Sequence, residues 1–145
     1  MLFRTVDGIK RAYSKDGGRT WTTPEAFVLP HPSARFMVSR FPSGTLFMVM
    51  HYQFQGRSHL TALLSEDEGE TFTHPLLLDE RSDVSYPSGN VLPNGRVILA
   101  YDRERYHAKE IMLASFTEKD LRGGTFGEGS YTKKIVSVGG KTGGV

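Results

Sequence analysis

Two aspartates stand in one eight-residue pattern, Ser-x-Asp-x-Gly-x-Thr-aromatic. Ser14, Asp16, Gly18 and Trp21 form the first copy, and Ser65, Asp67, Gly69 and Phe72 the second. Acidic residues at such spacing raise the question of a calcium loop. Each copy supplies too few oxygens for calcium, which takes about six to eight. The pattern fits architecture better. An aspartate two residues after a serine can accept backbone N–H bonds across its own turn. Gly18 and Gly69 stand where a hairpin needs positive φ, and the Trp21 or Phe72 ring is expected to fold onto a sheet and become buried. The five histidines, His31, His51, His59, His74 and His107, show no metal-like spacing. No cysteine is present, which excludes disulfides and thiolate zinc sites without naming a compartment. No metal and no cofactor is expected.

Composition narrows the classes further. The 145 residues carry 18 Lys+Arg against 16 Asp+Glu, a net charge of +2, and the basic residues form no block. Nothing therefore points to nucleic acid. Charged residues make up 23% and are interspersed among 38% hydrophobic residues, which argues against intrinsic disorder. The longest apolar runs are too short to cross a bilayer, and the first residues do not read as a signal peptide. The compartment stays open, with a secreted or periplasmic location of a full-length parent kept as one expectation.

The elements that must position these residues follow from a repeat. The two box patterns are offset by 51 residues, and the same offset takes Phe41-Pro42-Ser43-Gly44 to Leu92-Pro93-Asn94-Gly95. Two landmarks at one offset, with a period of about 40–50 residues, point to a propeller or an array. Each unit reads as four short strands. In the middle unit these are 35–41, 45–52, 59–64 and 72–78, with a hairpin over 65–71. The run 45–52 (TLFMVMHY) is too uniformly apolar for a half-exposed strand and suits a central one. The next unit offers strands at 86–92, 96–102 and 110–115, then a helical turn at 117–121 in place of a box. Residues 1–3, 10–13 and 21–29 fit the back half of a preceding unit.

The fold class is thus all-β, a partial propeller with about two and a half four-stranded antiparallel blades. A blade fragment spans 1–30, blades span 31–80 and 81–138, and a Gly-rich tail spans 139–145. Closed propellers have about four to eight blades, so the chain is expected to be the C-terminal part of a longer domain, with the rest of the propeller missing.

Ser-x-Asp-x-Gly-x-Thr-Trp resembles the Asp box of the sialidase (neuraminidase) superfamily, whose fold is a six-bladed β-propeller. The likeness runs from Arg4 to about Gly124 and looks like the last three blades. Sialidases hold the substrate carboxylate with three arginines. By resemblance Arg4, ten residues before Ser14, takes the place of the second. Arg57, opening Arg57-Ser58-His59-Leu60-Thr61-Ala62-Leu63-Leu64, takes the place of the third. Tyr86, in Ser85-Tyr86-Pro87-Ser88, falls at the nucleophile position. Pro87 replaces the family's usual serine and Asp102 its usual glutamate. The segment around Asp102-Arg103-Glu104-Arg105 is closer to a bacterial branch whose substrates are poorly defined.

These residue types suit the chemistry that the resemblance implies. Guanidinium is planar, permanently charged and able to grip a carboxylate through two parallel bonds. Arg4 and Arg57, 53 residues apart, are expected at equivalent strand positions in successive units, aimed at one central cavity. A neutral tyrosine avoids the repulsion that the substrate carboxylate would exert on an acidic nucleophile, and it needs nearby positive charge and a base. Asp83 and Asp102 are candidates for holding the site from behind, and either could simply cap a loop. Arg40, just before a turn, is a further candidate to face the cavity. Lone strand arginines are usually solvated or ion-paired, the expectation for Arg11, Arg19, Arg96 and Arg122. Two functions stay open: a retaining exo-α-sialidase-like glycosidase, inactive as this segment alone, or a non-catalytic propeller that binds a glycan or a protein. The partner expected is a carbohydrate, a sialoside or another acidic glycan. Arg4, Arg57 and Tyr86 are expected on one concave surface opposite the boxes.

Overall fold

The computed structural model describes residues 1–140. The chain is all-β, with three antiparallel sheets, none of them closed. The first sheet is β1 (Leu2–Thr5), β2 (Gly8–Arg11) and β3 (Glu25–Ala26). The second is β4 (Met37–Arg40), β5 (Leu46–His51), β6 (Leu60–Ser65) and β7 (Thr73–Asp79). The third runs in the order β8 (Val84–Val91), β9 (Arg96–Arg103), β10 (Glu110–Thr117) and β11 (Tyr131–Val138). Each sheet is a meander in which sequence neighbours pair, as expected of propeller blades. A short helix, α1 (Glu118–Gly123), stands between β10 and β11, where the other two sheets carry their boxes. Gly139 and Gly140 form a turn, and the remainder of the expected tail lies outside the described residues.

The boxes are turns held by their own side chains. Asp67 Oδ1 accepts from Thr71 N at 2.8 Å and Oδ2 from the Thr71 hydroxyl at 2.5 Å, while Ser65 Oγ accepts from Gly69 N at 2.8 Å. Asp16 does the same with Thr20, at 2.9 Å to the backbone and 2.6 Å to the hydroxyl. Gly18 (φ 89°) and Gly69 (φ 91°) take the left-handed conformation that a side chain would resist. The helix that replaces the third box is capped in a comparable way. Thr117 Oγ1 accepts from Asp120 N at 3.3 Å, and Asp120 Oδ2 accepts from Thr117 N at 2.7 Å.

β5 explains its own composition. Val49 and Phe47 join Leu60, Ala62, Leu76, Val97, Leu99, Met112 and Phe116 in the core between the second and third sheets. Met48 and Met50 point the other way and join Ile9, Phe27 and Leu63 in a smaller core against the first sheet. Successive strand residues face opposite sides, so a strand covered by sheets on both sides is apolar throughout. Between the second and third sheets lies the buried Asp79 carboxylate. Arg81 grips Asp79 with Nε and Nη2 at 2.8 and 2.6 Å, and the Tyr101 hydroxyl donates to the same carboxylate at 2.9 Å. Burial pushes the Asp79 carboxyl up, but these hydrogen bonds outweigh it and leave the pKa below the usual range.

Three expectations are corrected here. Trp21 is 44% exposed, not buried. Its indole N–H donates to Gly18 O at 3.0 Å, so the ring closes on its own turn, and β3 is too short to offer a face beneath it. Phe72 is better covered and packs edge-on against Phe27 at 5.6 Å. Arg40, expected to face the cavity, instead grips Glu68 of the second box at 2.9 and 2.7 Å. Arg4 and Arg57 are not equivalent positions. Arg4 lies inside β1, whereas Arg57 lies in the loop of residues 52–59 ahead of β6. Arg11, paired with Glu25 and Glu70, and Arg122, paired with Glu66 and Glu118, behave as expected.

Candidate functional site

The strands run between two ends of the molecule. One end gathers the boxes, α1 and the turns at 42–44 and 93–95. Here Ser43 and Thr45 hydrogen-bond Glu118, and Arg122 reaches Glu66. The opposite end gathers the loops that precede β2, β6, β8 and β10.

Tyr86 sits at that second end, near the start of β8. The β8–β9 register slips between Ser85 and Ser88, so Tyr86 and Pro87 bulge out of the ladder. Tyr86 has φ 57°. A bulky non-glycine residue in this region carries a backbone cost of about 1–3 kcal/mol and concentrates at functional sites. The bulge turns the Tyr86 ring into a cleft of about 350 Å³, lined also by Arg57, Asp83, Ser85, Asp102 and Arg105. A neighbouring cleft of about 260 Å³ is lined by Arg4, Arg35, Phe36 and, again, Tyr86. The structure thus brings Arg57 and Tyr86 into one cleft and Arg4 and Tyr86 into the next, the tyrosine forming the wall between them. All three lie at the end away from the boxes.

Two arginines act on the phenol. The Arg105 guanidinium lies over the Tyr86 ring, 4.2 Å from its centroid. Arg105 first, and Arg4 second, hold the Tyr86 hydroxyl below the usual tyrosine pKa. Arg105 is itself held by Asp102 Oδ2, which accepts from Nε at 2.8 Å and Nη2 at 2.5 Å. Asp102 is thus engaged by an arginine of the β9–β10 loop. Among the described residues its Oδ1 is buried without a partner, as is the hydroxyl of Ser85, its neighbour across the ladder. Asp83 lines the cleft, and its carbonyl accepts from Glu104 N at 3.0 Å, which ties the β9–β10 loop to the start of β8. Arg57 rests on Ser33 O at 3.3 Å through Nη2.

Behind Arg57 lie two buried histidines. His51 Nδ1 stands 2.8 Å from Ser58 O, and the His31 ring is 5.3 Å from the His51 ring. Burial lowers both pKa values, that of His31 to about 4. Among the described residues no cluster of three His, Cys, Asp or Glu suited to a metal is found, and no helix is long and apolar enough to cross a membrane.

Two arginines of the site escaped sequence reasoning. Arg35 carries no periodic or motif signal. Arg105 had one: it stands three residues after Asp102, a spacing that a tight turn converts into an ion pair.

A family model described as a BNR repeat-like domain matches residues 1–99. No curated protein and no solved structure matches the chain. The match covers Arg4, Arg57 and Tyr86 and stops before Asp102 and Arg105.

Proposed function

The chain belongs to the BNR repeat-like family, the Asp-box repeat of the sialidase superfamily, and from this premise we propose that it carries the anion-gripping half of a sialidase-like glycosidase site. Arg4 and Arg57 hold the carboxylate of an acidic sugar, and Tyr86 is the nucleophile. One observation carries this reading. Among the described residues Arg4, Arg35 and Arg57 make no ion pair with a carboxylate, unlike Arg11, Arg40, Arg81, Arg103, Arg105 and Arg122; Arg19, in the first box, and Arg96, held by Ser115 and Ser130, make none either but lie at the opposite end. Arg4, Arg35 and Arg57 all line clefts that share Tyr86. Uncompensated guanidiniums grouped around a strained tyrosine suit a ligand that brings its own negative charge.

In the reaction so proposed, the Tyr86 hydroxyl gives its proton to a base outside these residues, and its oxygen bonds to the anomeric carbon as the glycosidic C–O bond breaks. The leaving oxygen takes a proton from an acid outside these residues. Water then attacks the same carbon, releasing the sugar and restoring the phenol, with configuration retained. A second reading, a propeller that binds an acidic glycan without cleaving it, draws on a different fact. No carboxylate among the described residues is hydrogen-bonded to the Tyr86 hydroxyl.

Calorimetric titration of this chain with N-acetylneuraminate and with its uncharged methyl ester tests the grip. The acid should bind more tightly. Arg57→Ala should weaken it by about 1.5–3 kcal/mol, the worth of a charged hydrogen bond, and remove the preference for the charged form. Equal affinity for acid and ester would rule the grip out. In a longer protein that includes this segment, Tyr86→Phe should abolish cleavage of a fluorogenic sialoside and leave affinity nearly intact. Full activity of that variant would exclude the nucleophile. A parent that binds but never cleaves would favour the second reading.

A further inference from the structure

Tyrosine is a weak nucleophile unless its ring is fixed and its ionised form favoured. The arginines that the family resemblance assigns to the substrate would be drawn to its carboxylate, so a further group is needed to serve the phenol. The β9–β10 loop presents one. Its backbone is pinned at both ends: Lys109 N and His107 N donate to Glu104 O at 2.8 and 2.9 Å, and Glu104 N donates to Asp83 O at 3.0 Å. Glu104 (φ 47°) and Lys109 (φ 54°) both take the left-handed conformation, so the loop is tightly folded and not merely slack. This fold carries Arg105 back over β8.

The side chain is fixed just as firmly. Two of its nitrogens meet one oxygen of Asp102, at 2.8 and 2.5 Å, and its face lies 4.2 Å from the Tyr86 ring centroid. A planar cation stacked on a ring restrains the ring and is attracted to it, and the attraction grows as the phenol gains negative charge.

We propose that Arg105, clamped by Asp102, is the positioning residue of Tyr86: it holds the ring in the bulged conformation and keeps a positive charge over it that favours phenolate. The other charges facing the cleft are Arg57, Asp83, Glu104 and His107, with Arg4 and Arg35 in the neighbouring cleft. Glu104 is engaged by Arg103, and Asp102 by Arg105 itself. Asp83 lines the cleft as well, but the charged group that lies over the ring itself is the Arg105 guanidinium. The inference rests on the glycosidase reading only for its effect on rate; the effect on Tyr86 itself stands apart from any substrate.

The test is an ultraviolet titration of the phenolate band in this chain. Subtracting the Tyr86→Phe curve from the parent curve isolates Tyr86 from the other five tyrosines. Arg105→Ala should move the Tyr86 titration to higher pH, and Arg105→Lys, which keeps the charge, should bring it part of the way back. Arg105 is exposed, so circular dichroism and the thermal midpoint should show the alanine variant folded. If it does not fold, Arg105→Gln takes its place, and failure of both would assign Arg105 to the scaffold and overturn the proposal. A folded alanine or glutamine variant whose Tyr86 titrates as in the parent chain also overturns it. Loss of the shift with no sialoside cleavage in any parent would sink the glycosidase reading alone.

Discussion

The family resemblance picked out Arg4 and Arg57, each shortly ahead of a box, and Tyr86 ahead of the turn at 93–95, and the structure brings Arg57 and Arg4 each to a cleft that Tyr86 lines. Arg105 was not picked out, because its contact with Tyr86 depends on two left-handed residues, Glu104 and Lys109, that no propensity favours. The same scale holds a pH response. Burial first, and His51 second, hold His31 at about 4 in the fold against 6.5 for the free side chain. The unfolded chain is then the better proton acceptor. The contribution of His31 is complete above about pH 6.5 and lost as the pH falls toward 4, a loss on the order of 2 kcal/mol once partial solvent access is allowed for. Asp16 and Asp67 are lowered to about 2, first by the Thr20 and Thr71 hydroxyls, so their contribution is present above about pH 4 and lost between 4 and 2. Thermal midpoints should fall in two stages on acidification, and His31→Leu should shrink the first stage, with buried His51 supplying the rest. A midpoint that stays level from pH 7 to 4.5 in the parent chain would contradict this.

Among elements, the long apolar strands were readable and the peripheral ones were not. β5 announced itself through an unbroken apolar run, since sheets cover both its faces. β11 went unassigned because most of its residues are exposed and no box precedes it. The burial of Trp21 was misjudged for a local reason: a box specifies its own turn, but the surface under the ring depends on the length of the next strand. Gly89 shows an element constraint of another kind. A Cβ there would stand 2.2 Å from Ile98 O and 2.9 Å from Leu99 Cα, both backbone atoms of the paired strand. Gly89→Ala should therefore force β8 away from β9 and cost about 3 kcal/mol, at the upper end for overpacking. Denaturant midpoints measure this, and an unchanged midpoint would show that the strand pair can part freely.

For the molecule as a whole, the 51-residue offset gave the order of the sheets, while the means of joining them lay outside any pattern. Asp79 and Arg81 looked like ordinary loop charges in the sequence, yet with Tyr101 they tie the second sheet to the third. Asp79→Ala should cost about 3 kcal/mol, the lower end for breaking a buried pair, because the Arg81 guanidinium can still turn to water. The Tyr101 hydroxyl, pushed up to about 12 chiefly by burial, should then titrate nearer to the ordinary value. Unaltered stability in Asp79→Ala would show that apolar contact alone joins the sheets.

The two ends of the strands bear different burdens, and this has a consequence for how the protein can change over time. Gln53, His59, Asp83, Tyr86, Glu104 and Lys109, most of the non-glycine residues at positive φ, lie at the end with the clefts, while the opposite end is closed by self-contained turns. New ligand preferences can thus be explored by altering one set of loops without reworking the other. A library randomised over 53–57 and 104–107 should yield many folded members with altered ligand profiles. An equal library over 14–20 and 65–71 should yield few folded members, with little change in profile among the survivors. The two halves of each repeat are, in effect, separately available to selection.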